Sequence, residues 1–240
     1  MKIINAYWEK RNLGVDTVEF EIDSNDRANV ADEIRANEKQ YNVVKIPSGN
    51  VAVLLAVQKQ GYKFAESMLH FSIGVGELKL NSVQQRLNDA VTLAEMDNAD
   101  IEQLFAEIQN GMFDTDRIYF DPQFTHEQAT QRYIGWTRDE LSAGTKLFKF
   151  VYKEQSIGFI GGNAQKNMSY LGGIYPKFKK SGLGLNVATK NYQINIDYGT
   201  KIVNGAVSSN NPSVWKIYFE IGYNLTKIMN ILVKHNNHRG

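Results

Sequence analysis

The chain has 240 residues, no cysteine, 42% hydrophobic and 22% charged residues, and a formal net charge of +1. That length and apolar fraction support one large domain or two small ones, while the near-zero charge excludes bulk electrostatic binding to nucleic acid or an anionic membrane, so any anion site must be local. Without cysteine there is no disulfide framework and no thiolate nucleophile; the start MKIINAYWEK does not read as a signal peptide, no apolar run approaches about 18 residues, and a soluble cytoplasmic protein is expected.

In chain order, the first half begins at a strand near Val15, TVEFEI, followed by a helix within Asp26 to Gln40 and the β-rich YNVVKIP. Pro47-Ser48 open a helix that stops at Gly61, and FAESMLHFSI alternates like a strand. Gly74 to Asp97 reads as a connection. The second half opens with two helices, NADIEQLFAEIQ and THEQATQRYIGWTRDELSAG. A meander of strands from Lys146 to Tyr175 comes next, broken at Glu154-Gln155 and at Gly161-Gly162-Asn163. Then come a helix (LGLNVATKNYQINID), a strand (KIVNGAV), a helix opened by Ser209 and Pro212 and stopped at Gly222, and the strand NLTKIMNILV.

One element is written twice. Asn50 to Tyr62, NVAVLLAVQKQGY, and Asn211 to Tyr223, NPSVWKIYFEIGY, share an asparagine, an apolar segment and a Gly-Tyr at the same spacing, each between two strands. The fold expected is α/β: two tandem units of mixed sheet flanked by helices, a degenerate and truncated one over 1–78 and a complete one over 79–240. Only the second copy carries Tyr218, where the first has Val57.

Directly upstream of the second copy stands GGIYPKFKKSGLGLNV, Gly172 to Val187. A strand halted by Pro176 leads through a Lys/Gly-rich turn into a helix. Amide N–H groups at such a helix start favour a bulky anion, and glycines let the backbone approach it.

Ile174-x-Pro176, Lys179-x-x-Gly182-x-Gly184, Asn211, Tyr218 and Gly222-Tyr223 together resemble the acyl-CoA-binding core of the GCN5-related N-acetyltransferase superfamily, over about Ile101 to Val233. The resemblance implies that Gly173, Ile174 and Tyr175 hold pantetheine, that Lys179, Lys180, Ser181, Gly182, Leu183 and Gly184 wrap the pyrophosphate with Asn211 nearby, and that Tyr218 is the general acid for the leaving thiolate. Lys179 departs from the usual Gln or Arg. Trp8-Glu9, Gly14-Val15, Asn50, Gly61-Tyr62 and Glu66 further resemble the degenerate half of sugar-nucleotide N-acyltransferases such as the dTDP-fucosamine acetyltransferases, and DRIYFDPQF, Asp116 to Phe124, resembles the segment before their substrate pocket.

These resemblances imply an enzyme moving an acetyl or short hydroxyacyl group from acyl-CoA to the amine of a dTDP-linked amino-dideoxysugar for surface polysaccharide synthesis, releasing coenzyme A. Glu66 aligns with the carboxylate that serves as base through a water; a solvated surface charge is its plain alternative, and His126 and His70 are other bases. Trp8, Arg117, Tyr119 and Asp121 are the substrate-binding candidates, while Trp136 and Trp215 read as packing. No G-x-S-x-G and no metal-ligand spacing occurs, so no metal is expected. A peptide or polyamine acceptor and a non-catalytic CoA-binding module are the competing readings, and a homodimer is compatible.

Overall fold

Residues 1–236 are described by a computed structural model. In chain order the elements are β1 (Lys2–Asn5), α1 (Tyr7–Leu13), β2 (Thr17–Glu21), α2 (Val30–Ala36), β3 (Tyr41–Pro47), α3 (Val51–Lys59), β4 (Lys63–Gly74), α4 (Ser82–Asp89), β5 (Val91–Glu95), α5 (Asn98–Gln109), α6 (Arg117–Phe120), α7 (His126–Ser142), β6 (Lys146–Tyr152), β7 (Gln155–Asn163), β8 (Met168–Ile174), α8 (Leu185–Asp197), β9 (Ile202–Ser208), α9 (Pro212–Glu220) and β10 (Asn224–His235). The helix starts are chemically marked. Asn81, Asp97 and Thr125 cap α4, α5 and α7 in reciprocal capping boxes, and Asn50 and Asn211 each accept a backbone N–H at the start of α3 and α9.

The strands form two sheets: six in the order β1-β2-β3-β10-β4-β9, and four in the order β5-β6-β7-β8. Among the described residues only β2 and β3 run parallel. Side chains alternate between sheet faces, so the larger sheet has two cores. On one face Phe20, Val44, Ile46 and Leu232 pack under α2 and α3, and Phe71, Ile73, Val203 and Val207 pack under α8 and α9. On the other, Tyr41, Val43, Met229 and Ile231 meet Leu13, Ile118 and Ala129 of α1, α6 and α7.

The repeated element is a structural repeat. β3 and β9 both have 7 residues, α3 and α9 both 9, and β4 and β10 both 12. The last strands are exchanged: β10 lies between β3 and β4, and β4 lies between β10 and β9. The larger sheet therefore runs across the position 78/79.

Several sequence expectations are corrected. The first half starts before Val15, with β1 pairing to β2 and α1 behind it. The supposed connection from Gly74 to Asp97 holds α4 and β5, the latter an edge strand of the smaller sheet. Pro47 ends β3, and the cap of α3 is Asn50. The first meander turn falls at Lys153-Glu154, both at positive φ (47° and 62°), the left-handed geometry of a two-residue hairpin. Gly161, Gly162 and Asn163 stay inside β7. A Cβ on Gly161 would lie 2.8 Å from the Tyr170 ring and one on Gly162 2.7 Å from the Tyr198 hydroxyl, so these glycines serve close packing and not a turn.

Candidate functional site

The two sheets part between β8 and β9. Strand β8 pairs only with β7 and β9 only with β4, so each ends its sheet with an open edge. Tyr175 donates its N–H to Ile157 on β7 at 2.9 Å; by the alternation of strand hydrogen bonds, Ile174 directs its own backbone groups away from β7 into the gap. Helix α8 packs on both β8 and β9. On the other side the segment 111–116 crosses over: Met112 and Phe113 lie where a side chain on Gly173 would go, and the Thr115 carbonyl accepts from Ser208 at the end of β9.

The turn after β8 supplies donors. A short 3₁₀ turn over Pro176–Phe178 consumes the Lys179 and Ser181 N–H groups on the Pro176 and Phe178 carbonyls. Leu183 N–H goes to the Ser181 hydroxyl, which itself donates to Phe178 O at 2.6 Å. The N–H groups of Lys180, Gly182 and Gly184 make no hydrogen bond among the described residues. Gly182 sits at φ +81°, where only glycine is unstrained. These free amides stand at the start of α8, where a helix N-terminus favours an anion. The Lys179 ammonium is directed elsewhere: it donates to Gly111 O at 3.1 Å and Asp114 at 2.8 Å, tying the turn to the crossing segment. Leu183 is buried and Lys180 exposed. Asn211 caps α9, its side-chain oxygen accepting from Val214 N at 3.3 Å.

Tyr218, on α9, is 6% exposed and rests on β9 at Gly205, where an added Cβ would come 2.9 Å from its hydroxyl. Phe71 and Tyr223 flank the ring at 5.2 and 4.6 Å. Burial pushes its pKa up to about 12. In the first repeat the equivalent pair is Val57 on α3 and Val44 on β3, both fully buried in one core. Tyr-on-Gly in one copy stands where Val-on-Val stands in the other.

Glu66 projects from the opposite face of β4 and is fully buried. Its Oε2 accepts from the Ser208 hydroxyl at 2.5 Å, Arg117 lies 3.9 Å from Oε1, and Oε1 has no hydrogen-bond partner among the described residues. Burial raises its pKa, with Arg117 and Ser208 opposing. Arg117 also donates to Glu19 at 3.1 Å, whose other oxygen takes Lys45 at 2.7 Å. Beside them Arg132 donates to Glu9, and Tyr133 donates to Asp116. The protein thus has a buried ionic cluster between the sheet and α1, α6 and α7, of which only Arg117 and Glu66 stood out as site candidates in the sequence. The inward charge of Glu19 in TVEFEI was a visible signal, because it breaks the apolar run of an interior strand.

The remaining candidates are scattered. Trp8 stands edge-on to Tyr7 on α1, Tyr119 stacks on His126 at 4.2 Å, and Asp121 pairs with His235 at 2.7 Å, which draws its pKa down against the upward push of burial. His70 is half-buried on β4, and burial lowers its pKa. Trp136 is 40% exposed and Trp215 donates its indole N–H to Ser209 O. Arg117 and Asp121, with neither Trp8 nor Tyr119, reach a cavity of about 390 Å³ where β4 extends beyond β9, walled by Lys63, Phe64, Phe120 and Gln123 among others.

No family model and no curated protein matches the sequence. Solved structures do. A GCN5-related N-acetyltransferase from Sphaerobacter thermophilus aligns over 81% of this chain and 59% of its own, at 13% identity and TM-score 0.54, so this chain spans less than two thirds of that protein. A GCN5-related N-acetyltransferase from Kribbella flavida aligns over 93% of this chain and 83% of its own, at 13% identity and TM-score 0.54. A conserved protein of unknown function from Staphylococcus epidermidis aligns over 92% and 85%, at 10% identity and TM-score 0.58. At such identities the likeness is one of fold. The chain has the fold of the GCN5-related N-acetyltransferases, with a six-stranded mixed sheet and a four-stranded antiparallel sheet that part at β8 and β9, flanked by helices.

Proposed function

We propose that the protein is an acyl-CoA-dependent N-acyltransferase whose acceptor is the amine of a dTDP-linked amino-dideoxysugar. The observation that carries the acyl-CoA half is the set of three free amides at Lys180, Gly182 and Gly184, beside the open edge of β8 and at the start of α8, whose Leu185 and Ala188 share a core with Tyr218. A pyrophosphate fits those donors, and Ile174 offers its backbone to an amide-bearing arm. Gly173 and Tyr175 frame that strand end, and the Lys179, Ser181 and Leu183 contacts fix the shape of the turn.

In this reading Tyr218, protonated at neutral pH with burial pushing its pKa up to about 12, donates its proton to the departing thiolate. The Tyr-on-Gly pair separates an enzyme from a CoA-binding module, since the first repeat shows that Val-on-Val fills the same space. Glu66 is sealed from solvent, so it takes the proton of the acceptor ammonium through the Ser208 hydroxyl that it holds at 2.5 Å. The dTDP-sugar specificity rests on the likeness of the N-terminal segment to sugar-nucleotide acyltransferases and on the cavity beside Arg117. Residues 1–78 then act as a wall of the acceptor site and 79–240 as the acyl-CoA-binding unit.

The test is a thiol-release assay offering acetyl-CoA and hydroxybutyryl-CoA against dTDP-linked 3-amino and 4-amino dideoxysugars, with peptide and spermidine as controls. Turnover confined to a sugar nucleotide supports the proposal; release only with peptide or polyamine overturns its acceptor half. Absence of acetyl-CoA binding would sink all of it.

A further inference from the structure

The segment that crosses from α5 to α6 is fixed at its ends and loose in its middle. Met112 is buried in one core with Phe105, Tyr133 and Tyr175, Phe113 stacks on Tyr133, and Asp116 accepts from the Tyr133 hydroxyl at 3.0 Å. Between these anchors the backbone N–H groups of Asp114 and Thr115 make no hydrogen bond among the described residues. Two contacts hold the middle down: the Thr115 carbonyl lies 3.3 Å from the Ser208 hydroxyl, and Asp114 takes the Lys179 ammonium at 2.8 Å. The first is the weaker, because a serine hydroxyl has one proton and Glu66 Oε2, at 2.5 Å, claims it. Lys179 is therefore the latch. While it is closed, Thr115 covers Ser208, which is 9% exposed, and Glu66 behind it is fully buried, so no amine reaches the hydroxyl through which Glu66 would act.

We infer that acyl-CoA opens this latch: a pyrophosphate at the free amides of Lys180, Gly182 and Gly184 draws the Lys179 ammonium off Asp114, and Asp114 and Thr115 then lift from Ser208 to admit the acceptor amine. The inference rests on the acyl-CoA-dependent N-acyltransferase reading above and deepens it. The chemistry favours the exchange. Lys179 directly precedes the first free amide, and its flexible stem lets the ammonium swing to an anion seated there. The two latch side chains are 34% and 42% exposed, and an ion pair so open to water is weak. A pyrophosphate outbids a single carboxylate for the ammonium and sets Asp114 against a like charge. Lys179 thus couples the two substrate sites, one on each side of the gap between β8 and β9.

The chain has no cysteine, so Thr115→Cys places a single thiol on the crossing segment. The test is the rate at which N-ethylmaleimide alkylates that thiol in the full-length protein, divided by the rate for the same variant unfolded in urea, with and without saturating acetyl-CoA, alongside calorimetric titration with acetyl-CoA. Acetyl-CoA should accelerate alkylation about tenfold. Adding Asp114→Ala or Lys179→Met should give the fast rate with no ligand present, while the two act oppositely on affinity. Asp114→Ala should bind acetyl-CoA about threefold more tightly, since no latch has to open, and Lys179→Met about tenfold more weakly, since a phosphate contact is lost. A purely structural Lys179 would not produce that opposition. Acetyl-CoA that binds but leaves alkylation unchanged or slowed, or latch variants that alkylate as slowly as their parent, would overturn the inference and leave the acyltransferase reading standing. Failure of acetyl-CoA to bind would overturn both.

Discussion

Tyr218 depends on a residue that is defined by what it lacks. Because a Cβ on Gly205 would fall 2.9 Å from the Tyr218 hydroxyl, Gly205→Val should move the ring and lower kcat about as much as Tyr218→Phe, roughly 10²-fold. Acetyl-CoA affinity, measured by calorimetry, should stay within a factor of about two of wild type in both, because the free amides at the start of α8 are untouched. Glu66 carries a pH signature. Its folded pKa is raised by burial, so acyl transfer should fall as pH drops through that raised value, and Ser208→Ala, which removes the hydroxyl relay, should lower transfer at every pH. For stability the sign is opposite to that of an ordinary carboxylate: the folded state binds the proton more tightly, so stability is lost as pH rises from the unfolded value through the folded one. Glu66→Gln should therefore gain on wild type across that window in urea denaturation. Tyr218 stood out in the sequence because the repeat supplies Val57 as its contrast; Gly205 and Ser208 did not, since their contacts lie in distances to α9 and β4.

At the scale of elements, α9 separates a structural asparagine from a functional one. Asn211 caps the helix, as Asn50 does for α3, so Asn211→Ala should cost about 1 kcal/mol of stability by chemical denaturation while leaving acetyl-CoA affinity intact; a large loss of affinity would restore it to the cofactor site. The turn after β8 behaves in the opposite way. Its free N–H groups belong to the backbone, and the Lys179 side chain binds the crossing segment through Gly111 and Asp114. The ionic cluster under the larger sheet is where elements from both halves meet. Arg117→Ala leaves Glu19 and Glu66 without their shared partner and should cost about 3–5 kcal/mol, read as a lowered urea midpoint.

In the whole molecule, the exchange of β4 and β10 makes the two repeats one folding unit in the larger sheet. A chain cut at 78 loses β10 from between β3 and β4, and the remainder loses β4 from between β10 and β9. Both fragments expose apolar strand edges. Residues 1–78 and 79–240 expressed separately should lack cooperative thermal unfolding by circular dichroism, and mixing them should restore it. Two independently folding fragments would contradict this.

Local chemistry reached far into this protein. Capping residues, glycine stops and alternating strands marked α5, α7, α8, α9, β4 and β10, because each is decided by neighbours a few residues away, and the duplicated Asn-to-Gly-Tyr element disclosed the repeat. What tertiary structure alone decided is non-local. No local pattern tells a strand from which half its partners come, so the exchange of β4 and β10 was invisible; β1 and β5 were missed because short edge strands carry weak periodicity. The glycines of β7 were read as a break because a close approach by Tyr170 and Tyr198 cannot be seen along the chain. The ionic cluster likewise exists only where α1, α6 and α7 close over the sheet, bringing Glu9, Glu19, Glu66 and Arg117 together from both halves, since charge pairing and burial are properties of space and not of sequence order.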